Sequence, residues 1–387
     1  METGRLKIYA EAEKMVALLA VLLFFPAPAL PQTPFYQGKT VTILQGTAPG
    51  GTADMMVKAA LPYLKKYIPG EPALLSEYMP GGGGVKAVNH LYKNVRPDGL
   101  TIGNVGGGLV SNAVLGEPSV LYDINKLIYL GSPHSHYHWV FMTRRESGLK
   151  SLEALRSASG VRVGAQSIGH SVYIVGRLFA YLIGVKEPKF VVGYSGPELD
   201  IALQRGEFDA RINNADTLLK RNRDWLDKGV VDVHAMMEVP KGARHEYFAR
   251  LPEVEEFARS ERERKVLAML RAFRQVGSPY ILPPGTPIEQ TKILREAVVK
   301  TFNDPGFHQE YKKLTGDEAT PLMAATWRRL SRNCRGIGKL STFLKRSPAA
   351  ALCHHGRGTR SGDCKIFIGG GFSWNQTVTL RFQQKFL

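Results

Sequence analysis

Cysteine is nearly missing from this chain, with 3 in 387 residues, and an odd number cannot close a disulfide framework. All three (Cys334, Cys353 and Cys364) fall near the C-terminal end, so the long body before them is cysteine-free. A body of that kind needs no oxidative folding, which suits a bacterial periplasm. An apolar run of the ~20 residues needed to span a bilayer is also lacking, which argues against an integral transporter or channel. Acids are scarce relative to bases, 34 Asp+Glu against 51 Lys+Arg, for a net charge of +17. Averaged over the chain, that balance suggests an anionic partner such as nucleic acid. Its distribution removes the suggestion. Residues 326–387 hold 12 bases and one acid, Asp363, whereas residues 30–325 hold 36 bases and 30 acids. Most of the excess charge therefore belongs to the tail, and nucleic acid is not expected as a partner.

What is present begins with a leader. Lys14 precedes an apolar run from Met15 to Phe25, followed by Pro26-Ala27-Pro28-Ala29. A basic flank, a short apolar stretch and an A-x-A end predict a secretory signal peptide over residues 1–29. Beyond it, β-branched runs alternate with helical patterns. Thr40 to Leu44 reads as a strand, and a helix from about Thr52 places Val57, Leu61, Leu64 and Ile68 on one face, with Pro62 expected to kink or shorten it. Ala73 to Leu75 and Thr101 to Val105 read as strands around a helix marked by Val85, Val88 and Tyr92. An extended stretch from Leu127 to Thr143 follows, and the alternation restarts. Strands are expected at Val161 to Ala165, Phe190 to Val192 and Phe208 to Ile212, with a strongly charged helix over residues 253–274. A last strand, Tyr280 to Leu282, leads to a helix containing Leu294, Ala297, Val298 and Phe302. Strand–helix alternation implies an α/β fold with parallel sheets. Two such units joined by extended segments predict two lobes and a cleft: lobe I from residues 35–138 plus 278–325, and lobe II from residues 139–277.

In such sheets, ligands sit beyond the carboxyl ends of strands, against the N-termini of the following helices. Two loops qualify. The first, Gly46-Thr47-Ala48-Pro49-Gly50-Gly51-Thr52-Ala53-Asp54, lets backbone approach a ligand and offers unpaired N–H groups to a carboxylate or phosphate. Gly46 and Gly51 have the spacing of a nucleotide P-loop, but Thr52 stands where its lysine belongs, which argues against ATP. Asp54 reads as a first-turn helix stabiliser rather than a catalytic acid. The second loop, Ala165-Gln166-Ser167-Ile168-Gly169-His170-Ser171, offers two hydroxyls that can donate to an oxyanion or cap a helix. Ser167 activated by His170 would be hydrolase chemistry, but residue 165 is Ala, so Gly-x-Ser-x-Gly is not met. Pro80 to Gly84 and Gly106-Gly107-Gly108 are further close-approach loops, and Asp98-Gly99 is a turn. His134, His136 and His138 alternate, which on a strand would set three imidazoles on one face and could bind zinc. In the tail, Cys353-His354-His355 and Cys364 lack paired zinc-ligand spacing.

Taken in order, these motifs resemble the tripartite tricarboxylate transporter substrate-binding proteins, the Bug or TctC family. The resemblance is carried by Lys39-x-Val41-Thr42-Ile43, Ala48-Pro49-Gly50-Gly51-Thr52-x-Asp54, Met79 to Gly84, and Arg96-Pro97-Asp98-Gly99-Leu100-Thr101-Ile102. It continues through Gly193-Tyr194-Ser195-Gly196, Arg205 to Asp209, Pro284 to Pro287, and Asn303 to Phe307, covering Phe35 to Leu322. It implies a monomeric, extracytoplasmic, non-enzymatic binding protein with a two-lobed Venus-flytrap fold. Such a protein would use no cofactor and no metal, and would hand a small carboxylate to membrane permease subunits. Carried over, the ligand-binding positions are Thr47, Ala48, Gly50, Gly51, Thr52, Gly106 and Gly107 on lobe I, and Ser167, Ile168, Gly169, His170 and Ser171 on lobe II. Gln166 and Ile168 depart from the small polar residues common in the family's second-lobe loop. An enzyme using Ser167 and His170, or the three histidines, is the alternative. The resemblance stops near Leu322, and the Arg-, Ser- and Gly-rich tail over residues 326–387 is expected to come from a shifted or fused reading frame.

Overall fold

Thr40–Gln45 and Thr101–Asn104 carry the side chains that tolerate burial on both faces of a sheet, and they pair as parallel strands β1 and β3, with β2 (Ala73–Tyr78) on the other side of β1. The computed structural model describes residues 33–106, 108–114 and 116–326. The leader, most of the basic tail and Gly107 lie outside the described residues. Helices α1 (Thr52–Tyr67) and α2 (Val85–Lys93) make the crossovers, and α3 (Gly108–Val114) follows β3. Pro62 neither shortens nor ends α1. It is exposed, as is Lys58 one turn earlier, so the carbonyl that loses its N–H partner faces water.

The extended stretch read from Leu127 to Thr143 is two strands in two different sheets. β4 (Ile128–Ser132) belongs to the first sheet and β5 (Tyr137–Arg144) to the second. The second unit continues with α4 (Leu152–Ser157), β6 (Arg162–Ala165), α5 (Ser171–Ile183), β7 (Lys189–Val192), α6 (Gly196–Gln204), β8 (Ala210–Asn214), α7 (Ala215–Asp227) and β9 (Val231–Val239). The charged segment over residues 253–274 divides into a single turn at Val254–Phe257 and helix α8 (Glu261–Gln275), started by a Ser260/Glu263 capping box. The chain then returns through β10 (Tyr280–Leu282), α9 (Ile288–Asn303), α10 (Pro305–Thr315) and β11 (Leu322–Met323).

Strand order is β11-β4-β10-β3-β1-β2 in the first sheet and β7-β6-β8-β5-β9 in the second. Neither sheet is purely parallel, contrary to the expectation from alternation. β10 runs antiparallel to β3 and β4, and β5 runs antiparallel to β8 and β9. Apart from β11, which runs antiparallel to β4 at the sheet edge, these exceptions are the strands next to the places where the chain changes lobe, so their direction follows from the crossover rather than from a βαβ unit. The result is a two-lobed α/β protein.

Two segments join the lobes, residues 133–136 and 276–279, and they lie side by side. The Ser278 N–H donates to Ser132 Oγ at 3.0 Å, and Ser132 Oγ donates to the His134 carbonyl at 2.9 Å. Gly277 has φ +68°, and a Cβ there would stand 1.9 Å from the His134 carbonyl oxygen, so only glycine fits this hinge. A buried apolar cluster runs from Val88 and Leu91 of α2 through Leu109 to Phe141 and Phe179, so the lobes share a core as well as a chain.

Candidate functional site

The loop between β1 and α1 is shaped by Asp54. Its carboxylate is buried, accepting from Gly50 N–H (2.8 Å), Tyr78 Oη (2.8 Å) and Gln45 Nε2 (3.2 Å), with Lys58 Nζ at 2.8 Å. Burial alone would raise the Asp54 pKa. The bonds from Lys58, Gly50, Tyr78 and Gln45 outweigh it and hold the carboxyl below its usual value, so the loop is built around a fixed negative charge. Asp54 is thus more than a partner for the helix dipole. Gly51 stands at the N-cap of α1 and supplies no capping side chain, which leaves the first-turn N–H groups without side-chain acceptors.

Across the cleft stand three helix N-termini of lobe II, each already capped. His170 Nδ1 accepts from Val172 N–H at 3.2 Å at the start of α5. Burial, reinforced by the nearby Arg274 charge, pulls the His170 pKa down to about 3, so the ring is neutral and able to accept that bond. Ser195 and Glu198 form a capping box on α6, and Asn214 Oδ1 caps Thr217 N–H on α7. The cap of α5 is therefore the histidine, where either Ser167 or Ser171 was expected. His170 is committed to the helix, and Ser167 Oγ accepts from Gly83 N–H at 3.3 Å. The two side chains share no hydrogen bond, so the geometry does not assemble a nucleophile–base pair.

Besides that Gly83–Ser167 bond, the loops meet across the cleft at four further points. Thr52 Oγ1 lies 3.1 Å from Thr217 Oγ1, and Arg221 Nη2 donates to the Gly50 carbonyl at 2.7 Å. Gly51 Cα approaches Gly196 so closely that a Cβ on Gly196 would sit 3.5 Å away. Gly83, at φ +65°, is the tightest point: a Cβ there would fall 2.3 Å from the Gly169 carbonyl oxygen. Asn112 Nδ2 donates to the Gly82 carbonyl at 3.3 Å beside it. Of the positions singled out from sequence, Gly50, Gly51, Thr52, Ser167 and Gly169 are brought together here. Ile168 is 44% exposed, and Thr47, Ala48, Gly106 and Ser171 are half-buried.

Sequence reasoning missed α7 altogether, and with it Asn214, Thr217 and Arg221. The available signal was weak: Asn214 as a capping residue, and Leu218 with Trp225 seven residues on. Asn214 Nδ2 and Gln166 Oε1 are buried in these loops without a hydrogen-bond partner among the described residues.

The three alternating histidines do not form a cluster. His134 and His136 precede β5, and only His138 lies within it. His134 is fully buried with Nε2 3.1 Å from Asp317 Oδ2, His136 is exposed, and His138 Nε2 bonds the Ala243 carbonyl at 2.7 Å. Among the described residues, no group of three or more His, Cys, Asp or Glu is placed to hold a metal. A groove lined by Lys241, Glu255, Glu261, Arg264 and Arg271 includes none of the loop residues, and there Lys241 and Arg271 are both paired with Glu255. No described helix is long and apolar enough to cross a membrane.

No family model matches the chain, and no curated protein does. Solved structures do match. The periplasmic binding protein BugD is 16% identical, with 81% of this chain and 99% of that chain covered at a TM-score of 0.63. MatC from Rhodopseudomonas palustris, solved with bound malate, is 20% identical, with 79% and 99% covered at 0.61. Rpa4515 from the same organism, solved with adipate, is 16% identical, with 81% and 97% covered at 0.61. The chain thus has the fold of the two-lobed periplasmic binding proteins, with solved Bug/TctC-type solute-binding proteins among its structural neighbours.

Proposed function

We propose that this protein is an extracytoplasmic solute-binding protein of the Bug/TctC family. In this reading it captures a small carboxylate between its lobes and presents the closed form to the membrane subunits of a tripartite tricarboxylate transporter. The observation that carries the reading is the N-terminus of α1, which starts on Gly51 with no side-chain cap and faces lobe II helix starts that are each capped by a side chain. An N-terminus with free N–H groups attracts a carboxylate without a basic side chain. The ligand-binding set proposed is Thr47, Ala48, Gly50, Gly51, Thr52, Gly106 and Gly107 with Ser167 to Ser171, extended by Thr217. A ligand touching both sides favours the closed arrangement, and that difference in affinity is what a partner can recognise. The fold of the neighbours, and the malate and adipate in two of them, support the same reading.

Catalysis is not part of the proposal, since Ser167 and His170 are each engaged elsewhere. Secretion through residues 1–29, a monomeric state, and lobe boundaries near residues 138 and 277 belong to the proposal as well. A thermal-shift screen of the purified protein against mono-, di- and tricarboxylates tests it. Saturable stabilisation by a carboxylate is expected, because a ligand that binds only the folded form raises the midpoint. Stabilisation by a nucleotide or a metal and by no carboxylate would overturn it.

A further inference from the structure

Helix α7 of lobe II lies directly on lobe I. Thr217 and Arg221 reach the loop that leads into α1, at Thr52 and Gly50. On another side, Asp216 and Lys220 close against Gly316: a Cβ there would fall 3.0 Å from the Asp216 carbonyl oxygen and 2.7 Å from Lys220 Cβ. Gly316 ends α10, so this second contact also joins the lobes. Parting the lobes must separate both.

Two carboxyl groups meet in that seam. Asp317 follows Gly316 on lobe I, Asp216 stands in the first turn of α7 on lobe II, and they are within hydrogen-bonding reach of each other. Each side chain is only 16% exposed. Asp216 Oδ1 accepts from His245 Nε2 at 3.1 Å. The buried Oδ2 has no donor among the described residues, and His138 Nδ1 is 3.9 Å away. A protonated Asp317 supplies that donor. An ionised Asp317 instead sets two like charges together in a little-hydrated seam, which is unfavourable.

The surrounding groups do not relieve that repulsion. His134 Nε2 is 3.1 Å from Asp317 Oδ2, but burial pulls the His134 pKa to about 3 and leaves the ring uncharged. Tyr137 and Tyr311 face the seam as neutral phenols, because burial raises both. Glu318 adds a further negative charge and is itself paired with Lys312. Lys220 touches the seam through its stem and is otherwise exposed. His138 and His245 favour the Asp216 charge, but they belong to lobe II and stay with it when the lobes part.

We propose that Asp317 and Asp216 form a proton-dependent latch between the lobes, so that closing the cleft takes up one proton. The latch stands on the seam and not on the identity of the ligand. In the open form both carboxyls return to water and ionise in their usual range. In the closed form burial and Asp216 hold the Asp317 pKa up at about 8. Closure is then favoured at low pH and lost as pH rises: between about 4 and 8, each pH unit lowers the closed-to-open ratio by up to about tenfold. A ligand that needs both lobes is held in mild acid and released in mild base.

Small-angle scattering of the ligand-free, full-length protein from about pH 5 to 9, with circular dichroism on the same samples, tests the latch. The wild-type radius of gyration should rise with pH while secondary structure is unchanged. Asp317→Asn keeps a donor for Asp216 Oδ2 and cannot ionise, so at the alkaline end it should keep the compact radius of acidic wild type. Asp216→Asn removes the other charge and should stay compact as well. A wild-type radius constant over the range, a rise that persists in either variant, or a rise accompanied by loss of secondary structure overturns the latch. Should Asp317→Asn not fold, Asp216→Asn decides the matter. None of these outcomes depends on a carboxylate binding, so the reading of the ligand stands or falls separately, by its own thermal-shift screen.

Discussion

On the lobe I side of the cleft the surface is mostly backbone: Gly50, Gly51 and Gly83 approach lobe II without side chains, and α1 starts uncapped. On the lobe II side the corresponding helices are closed by His170, Ser195 and Asn214, and the surface is made of Thr217, Gln166 and Arg221. In the proposed carboxylate-binding reading, the two faces divide the work. Backbone N–H groups attract any carboxylate, because they read charge and little else. Side chains, with their fixed donors and acceptors, discriminate among ligands. The proposed reading thereby places general affinity on lobe I and selectivity on lobe II.

The strongest way to break that comparison is to add a side chain to the backbone face. Gly83→Ala puts a Cβ where the Gly169 carbonyl stands, at a φ that L-residues disfavour. The lobes should then fail to close. Small-angle scattering should show no compaction with ligand, and the carboxylate-induced rise in melting temperature should vanish. Compaction equal to wild type would show that Gly83 and Gly169 are not the closing contact.

Asp54→Asn attacks the lobe I face from beneath. It removes a buried charge that four donors hold in place, and should cost about 2–3 kcal/mol in denaturant unfolding. Ligand binding should weaken in parallel, since the loop loses its Gly50 anchor.

A graded pH effect comes from the seam between α7 and the loop after α10. Burial and the neighbouring Asp216 raise the Asp317 pKa to about 8, while burial pulls His134 down to about 3. At neutral pH, Asp317 therefore keeps its proton beside an uncharged imidazole, and Asp216 carries the negative charge facing His138 and His245. Burial works against a charge on His138, but Asp216 outweighs it and raises the pKa. Because the folded pKa of Asp317 exceeds the unfolded one, its contribution to stability is complete below about pH 4 and is lost as pH rises through about 8. Melting temperature should fall between pH 5 and 9, and Asp317→Asn should flatten that fall. An unchanged slope in the variant would place the titration elsewhere.

The smallest effect belongs to Thr217→Val. Loss of the hydroxyl contact with Thr52 should cost about 1 kcal/mol, a severalfold weaker affinity by calorimetry with little change in stability.

Much of the fold was legible because local patterns carried it. The β-branched run at Thr40 to Leu44, the helical spacing of Val57, Leu61 and Leu64, and the Asp98-Gly99 turn all correspond to observed features, the last with Leu100 N–H on Asp98 Oδ1 at 2.9 Å. The glycine loops were legible too, because close backbone approach demands glycine whatever the fold. The histidine face was misread, since alternation marks one face only if the segment is a strand, and the hinge breaks it before Tyr137. Helix α7 escaped notice because its apolar residues are few and its charges many.

The sequence by itself determined the alternating elements, the glycine-rich turns and the separation of a mildly basic body from a strongly basic tail. Only the tertiary structure decided which loops face each other across the cleft and which helix starts there are capped by side chains. Gly50 and Arg221 are 171 positions apart, and Gly83 and Ser167 are 84 apart. Contacts at such separations leave no periodic trace in the chain, because they come from the packing of whole lobes and not from the preferences of neighbouring residues.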